Sequence, residues 1–328
     1  METILSNLSN VRAGRPQFSG AVNTLETFKV MPTGAAVGAE IKGVDLSMPL
    51  PDDVQEGLRK AWADHMVLVF RGQHVNDDQL VEAAGIFGGV QEVGSRKYYF
   101  LKGGLGEHDH RVSKSHPSIS IISNLDANGH PVQDNGALGS YEVTWHSDNS
   151  YVEIPPAGSM LYALEIPPEG NGGETSFNNQ YMAFEELPDE LKHAIHGKSQ
   201  RHDSSRNSAG VLRPGAKLPT TLDEVEGPIH PLVRIHPVTR KPALYLGRRR
   251  VWPSNHIVGM PDAESRALLS KLWEHATQEK YAWTLHWQVG DLVLWDNRCC
   301  MHYRTEINPQ YSRVMHRIVI KGESVIPW

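Results

Sequence analysis

Gly290-Asp291-Leu292-Val293-Leu294-Trp295-Asp296-Asn297-Arg298-Cys299-Cys300-Met301-His302 starts on a glycine, runs through apolar, β-favouring residues and ends on polar groups and a histidine. Its Asp291–Trp295 part reads as a strand. Comparable short runs lie at Ser159–Ile166, Glu174–Phe177, Leu232–His236, Ala243–Leu246, Thr284–Trp287 and Arg313–Ile320. Two stretches of helical period interrupt them, Phe184–His196 and Asp262–Thr277, the second with Ala267, Leu268, Leu272 and Ala276 on one face. Many short strands broken by Gly and Pro, with helices outside the run, predict a mainly β fold with flanking helices, an antiparallel sandwich or barrel.

Nearer the amino terminus, Met66–Phe70 reads as a buried strand stopped by Arg71-Gly72. A helix is predicted before it, with Val54, Leu58, Ala61 and Trp62 at helical spacing. Asn76 is placed to cap another, whose stripe is Leu80, Ala83, Ala84 and Phe87. Gly103–Gly139 is rich in Gly, His, Asn and Asp and reads as mobile loops around one apolar run, Ile119–Ile122. Residues 1–26 lack a period and read as a loose arm. With no repeat or linker, 27–328 reads as a single domain.

The chain has 328 residues and a formal net charge of −6, from 32 Lys+Arg against 38 Asp+Glu. That balance argues against a general nucleic-acid or anionic-membrane binder, which needs a basic face. Its two cysteines, Cys299 and Cys300, are adjacent, so no disulfide framework is expected. The first residues are polar, and no stretch approaches the roughly 18 apolar residues of a membrane span. The expected setting is the cytoplasm.

Chemistry concentrates at Thr144-Trp145-His146-Ser147-Asp148-Asn149-Ser150. On an extended strand, residues two apart share a face, so His146 and Asp148 can reach one point. An imidazole and a carboxylate so placed supply two thirds of the facial triad of non-haem Fe(II) sites. Alone, the pair also fits a hydrogen-bonded strand pair. His302 follows a β run and can sit at a barrel mouth as a third ligand. Arg313 and Arg317, four residues apart on an apolar strand, can both point inward. A buried guanidinium is costly unless an anion pairs with it, and a dicarboxylate co-substrate would supply that anion.

At this point the chain resembles the Fe(II)- and 2-oxoglutarate-dependent dioxygenases that include taurine dioxygenase and 2,4-dichlorophenoxyacetate dioxygenase. The likeness runs from Pro32 to Gly322. It is carried by Gly38–Leu46, Val69-Phe70-Arg71-Gly72-Gln73, Trp145-His146-Ser147-Asp148, Gly172-Gly173-Glu174-Thr175, His230–Pro237 and Gly290–Arg298. The segment from Glu274 through Cys299 is more similar to the phenoxyacetate enzyme.

The resemblance implies a double-stranded β-helix, or jelly roll, enclosing iron. It implies His146, Asp148 and His302 as iron ligands, with Thr175 and Arg313 holding the distal carboxylate of 2-oxoglutarate. Arg313 lies eleven residues after His302. Arg317 would face the anionic group of the primary substrate. The implied reaction consumes 2-oxoglutarate and O2, releases succinate and hydroxylates the substrate; a carbon bearing an ether oxygen, sulfonate or amine would then fragment. An intact Asp148 carboxylate favours oxygen insertion over halogenation. Relatives are often dimers or tetramers, so a homo-oligomer is expected.

Gly247-Arg248-Arg249-Arg250-Val251-Trp252-Pro253 falls where relatives line the substrate pocket. It reads either as a solvated charge run or as a lip drawing an acidic substrate, with Arg248 attracting it and Trp252 stacking on it. Arg96, Lys97, Tyr98, Tyr99 and Phe100 could supply the facing wall. The expected substrate is an anionic small molecule with an aromatic or apolar body, such as an aryloxyalkanoate; an alkylsulfonate of the taurine type is the alternative. His108-Asp109-His110 reads as a solvated loop, and His230 and His236 as structural histidines. Cys299 and Cys300 are expected to pack, and His316 to face away from the pocket. A non-catalytic jelly-roll binding protein and a zinc hydrolase are the competing classes. The first leaves four site residues without a need, and the second leaves Arg313 and Thr175 without one.

Overall fold

Val67-Leu68-Val69-Phe70 is buried on both faces, because the sheet it belongs to is covered by helices on one side and by a second sheet on the other. The computed structural model describes residues 22–91, 111–207, 210–213 and 215–328. The amino-terminal part comprises β1 (Lys29–Pro32), β2 (Ala39–Lys42), α1 (Asp52–His65), β3 (Val67–Phe70) and α2 (Asp77–Ile86). Helix α1 carries Asp52 and Asp53 in its first turn, where the helix dipole favours negative charge, and buries Val54, Leu58, Ala61 and Trp62. A capping box starts α2: the Asn76 side chain accepts from the Gln79 N–H, and the Gln79 side chain accepts from the Asn76 N–H.

There follow β4 (Ser120–Ser123), β5 (Val143–His146), β6 (Gly158–Glu165), β7 (Thr175–Asn179), α3 (Gln180–Glu185), α4 (Asp189–Ile195), β8 (Ser199–Arg201), β9 (Ile229–Pro231), β10 (Val233–Ile235), β11 (Pro242–Leu244) and β12 (His256–Ile257). The chain closes with α5 (Asp262–Ala276), β13 (Ala282–Leu285), β14 (Leu292–Asp296), β15 (Cys300–Arg304), β16 (Val314–Ile320) and β17 (Ile326–Pro327). A seven-stranded sheet runs β1-β2-β3-β14-β6-β16-β4, and a four-stranded sheet runs β13-β7-β15-β5. Every pairing is antiparallel except β2 with β3. Side chains of the large sheet alternate as a pleat requires. Leu68, Phe70, Met160, Tyr162, Leu292 and Leu294 pack with the helices, whereas Val67, Val69, Leu161, Ala163, Val293 and Trp295 pack against Phe177 and Leu285 of the small sheet.

Three differences from the sequence reading have physical causes. The expected helix Phe184–His196 is two helices, because Pro188 disfavours helical geometry at Leu187 and starts α4. His302 does not cap the mouth of the strand before it: Asn297-Arg298-Cys299 turn the chain, and His302 sits in the middle of its own strand, β15. Strand β5 ends at His146, so Asp148 lies in the following turn, next to Asn149 with its positive φ of 51°. The last residues of the expected arm that are described are tied down. The Asn23 side chain accepts from the Asp45 N–H at 2.8 Å and donates to the Asp45 carbonyl at 3.0 Å. Among the described residues, no helix is long and apolar enough to cross a membrane.

Candidate active site

Strands β5 and β15 place His302 directly opposite His146, and their rings stand 4.0 Å apart. On its other edge β15 pairs with β7, which sets His302 opposite Phe177 and Arg304 opposite Thr175. The two-residue period therefore lines His146, His302, Arg304 and Thr175 along one cavity between the sheets.

The turn after β5 brings Asp148 to the two histidines. Its Oδ1 lies 3.5 Å from His146 Nε2 and 4.0 Å from His302 Nε2. These three donor atoms lie within 4.8 Å of one another, in a buried group. The His146 Nδ1–H donates to the Thr144 carbonyl at 2.8 Å, which leaves the Nε2 lone pair turned to the cavity. Burial, reinforced by Arg248, pushes the His146 imidazolium down to about 4, so the ring is neutral at pH 7. His302 is shifted well down in the same direction by burial and by His146. Burial alone would raise the Asp148 carboxyl, but Arg317, and then His302 and His146, outweigh it and hold the group ionised. Two neutral imidazoles and one carboxylate, spaced too far apart to satisfy one another by hydrogen bonds, fit a divalent first-row cation with positions left open.

Beside this set the cavity is strongly cationic. Arg313 is fully buried, and its Nε has no hydrogen-bond partner. Burial, then Arg304, pushes its guanidinium well below the usual range, with only Glu174 acting against them. Gly173, at φ 88°, lets the Arg313 stem lie close: a Cβ there would meet Arg313 Cδ at 3.2 Å. Thr175 accepts from Trp287 Nε1 at 2.9 Å and keeps its own hydroxyl proton to donate. Arg317 Nη1 approaches Asp148 Oδ2 at 3.5 Å, and its Nε is buried without a partner. Three arginines and a divalent cation against one carboxylate leave an excess of positive charge, part of which a dianionic ligand such as 2-oxoglutarate offsets.

Arg304, Ser159 and Asn297 were not singled out as site residues. Arg304 was reachable, since it stands two residues beyond His302 on one strand face. The other two act through Asp148. Ser159 Oγ donates to Asp148 Oδ2 at 2.8 Å, and Asn297 Nδ2 donates to Ser159 Oγ at 3.1 Å. No spacing rule connects those positions.

Arg248 is buried beside the site, its backbone bridged to that of His146. Trp252 is not brought to the cavity. Its Nε1 donates to Asp262 Oδ2 at 3.4 Å, and Arg266 lies 5.3 Å over its ring. Tyr99 and its neighbours, and His108-Asp109-His110, lie outside the described residues. His316 faces away and bonds Asp77 at 2.7 Å. His230 Nε2 donates to the Val152 carbonyl at 3.0 Å. His236, Asp296 and Cys299 form a second cluster of metal-ligating types. There His236 Nδ1 accepts from the Val238 and Thr239 N–H groups, its Nε2–H donates to Asp296, and Arg298 grips that carboxylate with two nitrogens. This cluster is a satisfied structural lock for the turn between β14 and β15. Both cysteines are free and buried.

The family described as taurine catabolism dioxygenase TauD, TfdA family matches residues 27–319. The (S)-phenoxypropionate/alpha-ketoglutarate-dioxygenase of Delftia acidovorans is 31% identical over 309 residues, covering 90% of this chain and 96% of that protein. The alpha-ketoglutarate-dependent sulfate ester dioxygenase of Pseudomonas putida is 30% identical, covering 90% of this chain and 89% of that one. A crystal structure of AAD-2 in complex with Mn(II) and N-oxalylglycine matches with a TM-score of 0.75 at 30% identity, covering 91% of this chain and 99% of that one. With the three converging donors, these likenesses make the protein an Fe(II)- and 2-oxoglutarate-dependent dioxygenase, an oxidoreductase with O2 as second co-substrate. More narrowly, the chain belongs to the TauD/TfdA family.

Proposed function

We propose that the protein hydroxylates a small organic acid with an aromatic or apolar body, inside a double-stranded β-helix made by its two main sheets. The observation that carries this reading is Arg317, a partly buried cation next to Asp148, in a cavity whose other walls include Ile122, Leu138, Val143 and Leu161. A charged head and an apolar body suit that mixture of walls. In this reading His146, Asp148 and His302 hold iron, Thr175 and Arg313 hold the distal carboxylate of 2-oxoglutarate, and Arg317 with Arg248 orients the substrate anion.

When bound, iron with 2-oxoglutarate and O2 supplies the oxidation, so that substrate, 2-oxoglutarate and O2 yield hydroxylated product, succinate and CO2. The chain's own part is orientation and exclusion of water. Arg313 and Thr175 fix one end of the co-substrate, the Thr144 carbonyl keeps the His146 proton on Nδ1, and apolar walls keep the reacting carbon dry. The named activities of the relatives, on phenoxypropionate and on sulfate esters, support an oxyanion at Arg317. We also take residues 27–328 as one domain working in the cytoplasm as a homo-oligomer, a setting that two buried free thiols suit.

Succinate release, screened over aryloxyalkanoates, alkyl sulfates and alkylsulfonates, tests the substrate class. Substrate-dependent release by an aryloxyalkanoate supports it. Release by taurine-like sulfonates alone overturns it.

A further inference from the structure

Next to the iron-binding cavity, and sharing strand β5 as a wall, lies a second cavity of about 420 Å³ whose described lining includes Glu142, Thr144, Arg206, Arg248, Arg249 and Arg250. Arg248, in the lining of the second cavity, adjoins the iron-binding site. Its backbone bridges His146, and its guanidinium is close enough to Asp148 to feel that charge. Arg206 and Arg250 are held by main-chain carbonyls. Arg250 Nη2 donates to the carbonyls of Arg206 and Asn207, both at 2.9 Å, and Arg206 Nη1 donates to the Gly210 carbonyl at 2.7 Å. A guanidinium has five N–H donors, so these contacts fix Arg206 and Arg250 without using all the donors of either.

Nearby acids are engaged elsewhere. Glu142 accepts from the Tyr303 hydroxyl, and Asp203 accepts from the Ser205 N–H at 2.7 Å and from the Ser254 hydroxyl at 3.2 Å. Among the described residues, neither Arg206 nor Arg250 makes an ion pair with a carboxylate. Burial, opposed by Asp203, lowers Arg250 to about 10, so the group stays charged at pH 7. A concave wall in which guanidinium groups outnumber carboxylates attracts an anion, and the guanidinium fork matches an oxyanion.

We propose that this cavity binds a second oxyanion group, a carboxylate, sulfate or phosphate, on the same substrate whose first anion sits at Arg317. The substrate is then a doubly acidic small molecule. This deepens the function proposed above and rests on it for the placement of the first anion.

The test is calorimetric titration of the protein, loaded anaerobically with Fe(II) and 2-oxoglutarate, with phenoxyacetate and its three ring-carboxylated isomers. At least one isomer binds tenfold or more tightly than phenoxyacetate, and this ratio falls below threefold in Arg250→Gln and in Arg206→Gln. The ratio is taken within each variant, so a loss of folded fraction does not imitate the effect. Equal affinities, a ratio that survives both substitutions, or no binding by any of the acids overturns the proposal. Succinate release on admitting O2 is read separately. Tight, arginine-dependent binding without turnover removes the aryloxy substrate and keeps the second anion site, whereas turnover of phenoxyacetate with no gain from a second carboxylate does the reverse.

Discussion

The Ser159 hydroxyl donates to Oδ2 of Asp148 at 2.8 Å, and this bond decides which oxygen of the carboxylate is left to face His146 and His302. Asn297, from the turn that ends β14, donates in turn to Ser159 Oγ. The large sheet thus orients a ligand that the small sheet's turn supplies. Removing the hydroxyl in Ser159→Ala should weaken divalent-metal binding roughly 10-fold or more, by the usual cost of losing a group that orients a ligand. Titration of the apoprotein with Co(II), followed optically, measures this, with circular dichroism as the check on folding. An unchanged affinity contradicts the role given to Ser159.

Arg313 illustrates a conflict between stability and binding. Its guanidinium is buried with an unpartnered Nε, which suits the role proposed for it at the distal carboxylate of 2-oxoglutarate. Arg313→Met should leave the apoprotein's melting temperature unchanged or higher, since it removes an uncompensated buried charge. It should also lower 2-oxoglutarate affinity on the order of 100-fold, as expected when one partner of a buried charge pair is lost. Thermal shift with and without 2-oxoglutarate reads both effects. A destabilised variant that still gains stability from 2-oxoglutarate would move the co-substrate elsewhere.

Acid should destabilise the metal-free protein. Burial holds His146 near 4 in the folded state, against an ordinary value of 6.5. Between those values the unfolded chain binds a proton that the folded chain refuses. Stability therefore rises with pH through the window and is lost as pH falls from about 6.5 to 4, by roughly 3 kcal/mol for this one group. His302 and His202 are shifted in the same direction by burial. Urea midpoints at pH 7 and pH 5 provide the comparison, and equal midpoints contradict it.

Trp252 packs on Arg266 rather than on the cavity. Trp252→Ala should change the KM for any accepted aryloxyalkanoate by less than about twofold, since surface substitutions away from a site cost little. A tenfold rise would return Trp252 to the substrate wall.

Much of the fold was legible because its signals are local. Val67–Phe70 and Leu292–Trp295 announce themselves as apolar runs, and Asn76 with Gln79 forms a cap readable from spacing alone. Strand β15 was hidden: Cys300-Met301-His302-Tyr303-Arg304 mixes polar and apolar residues because it carries the site on one face. Spacing points to His146 and Asp148, and the family resemblance adds His302, yet the two histidines converge through a cross-strand pairing between positions 156 residues apart in sequence, which no local pattern encodes. Ser159 and Asn297 were invisible for the same reason. Pro188 is a local signal that overrides the helical period, since its effect on the preceding residue splits Phe184–His196.

The central claim is that His146, Asp148 and His302 hold Fe(II) with positions open for 2-oxoglutarate chelation. Anaerobic addition of Fe(II) and then 2-oxoglutarate to the apoprotein should produce a visible metal-to-ligand charge-transfer band that is missing in His146→Ala. A folded, iron-loaded protein that shows no such band with saturating 2-oxoglutarate, or a His146→Ala variant that shows it undiminished, would contradict the account.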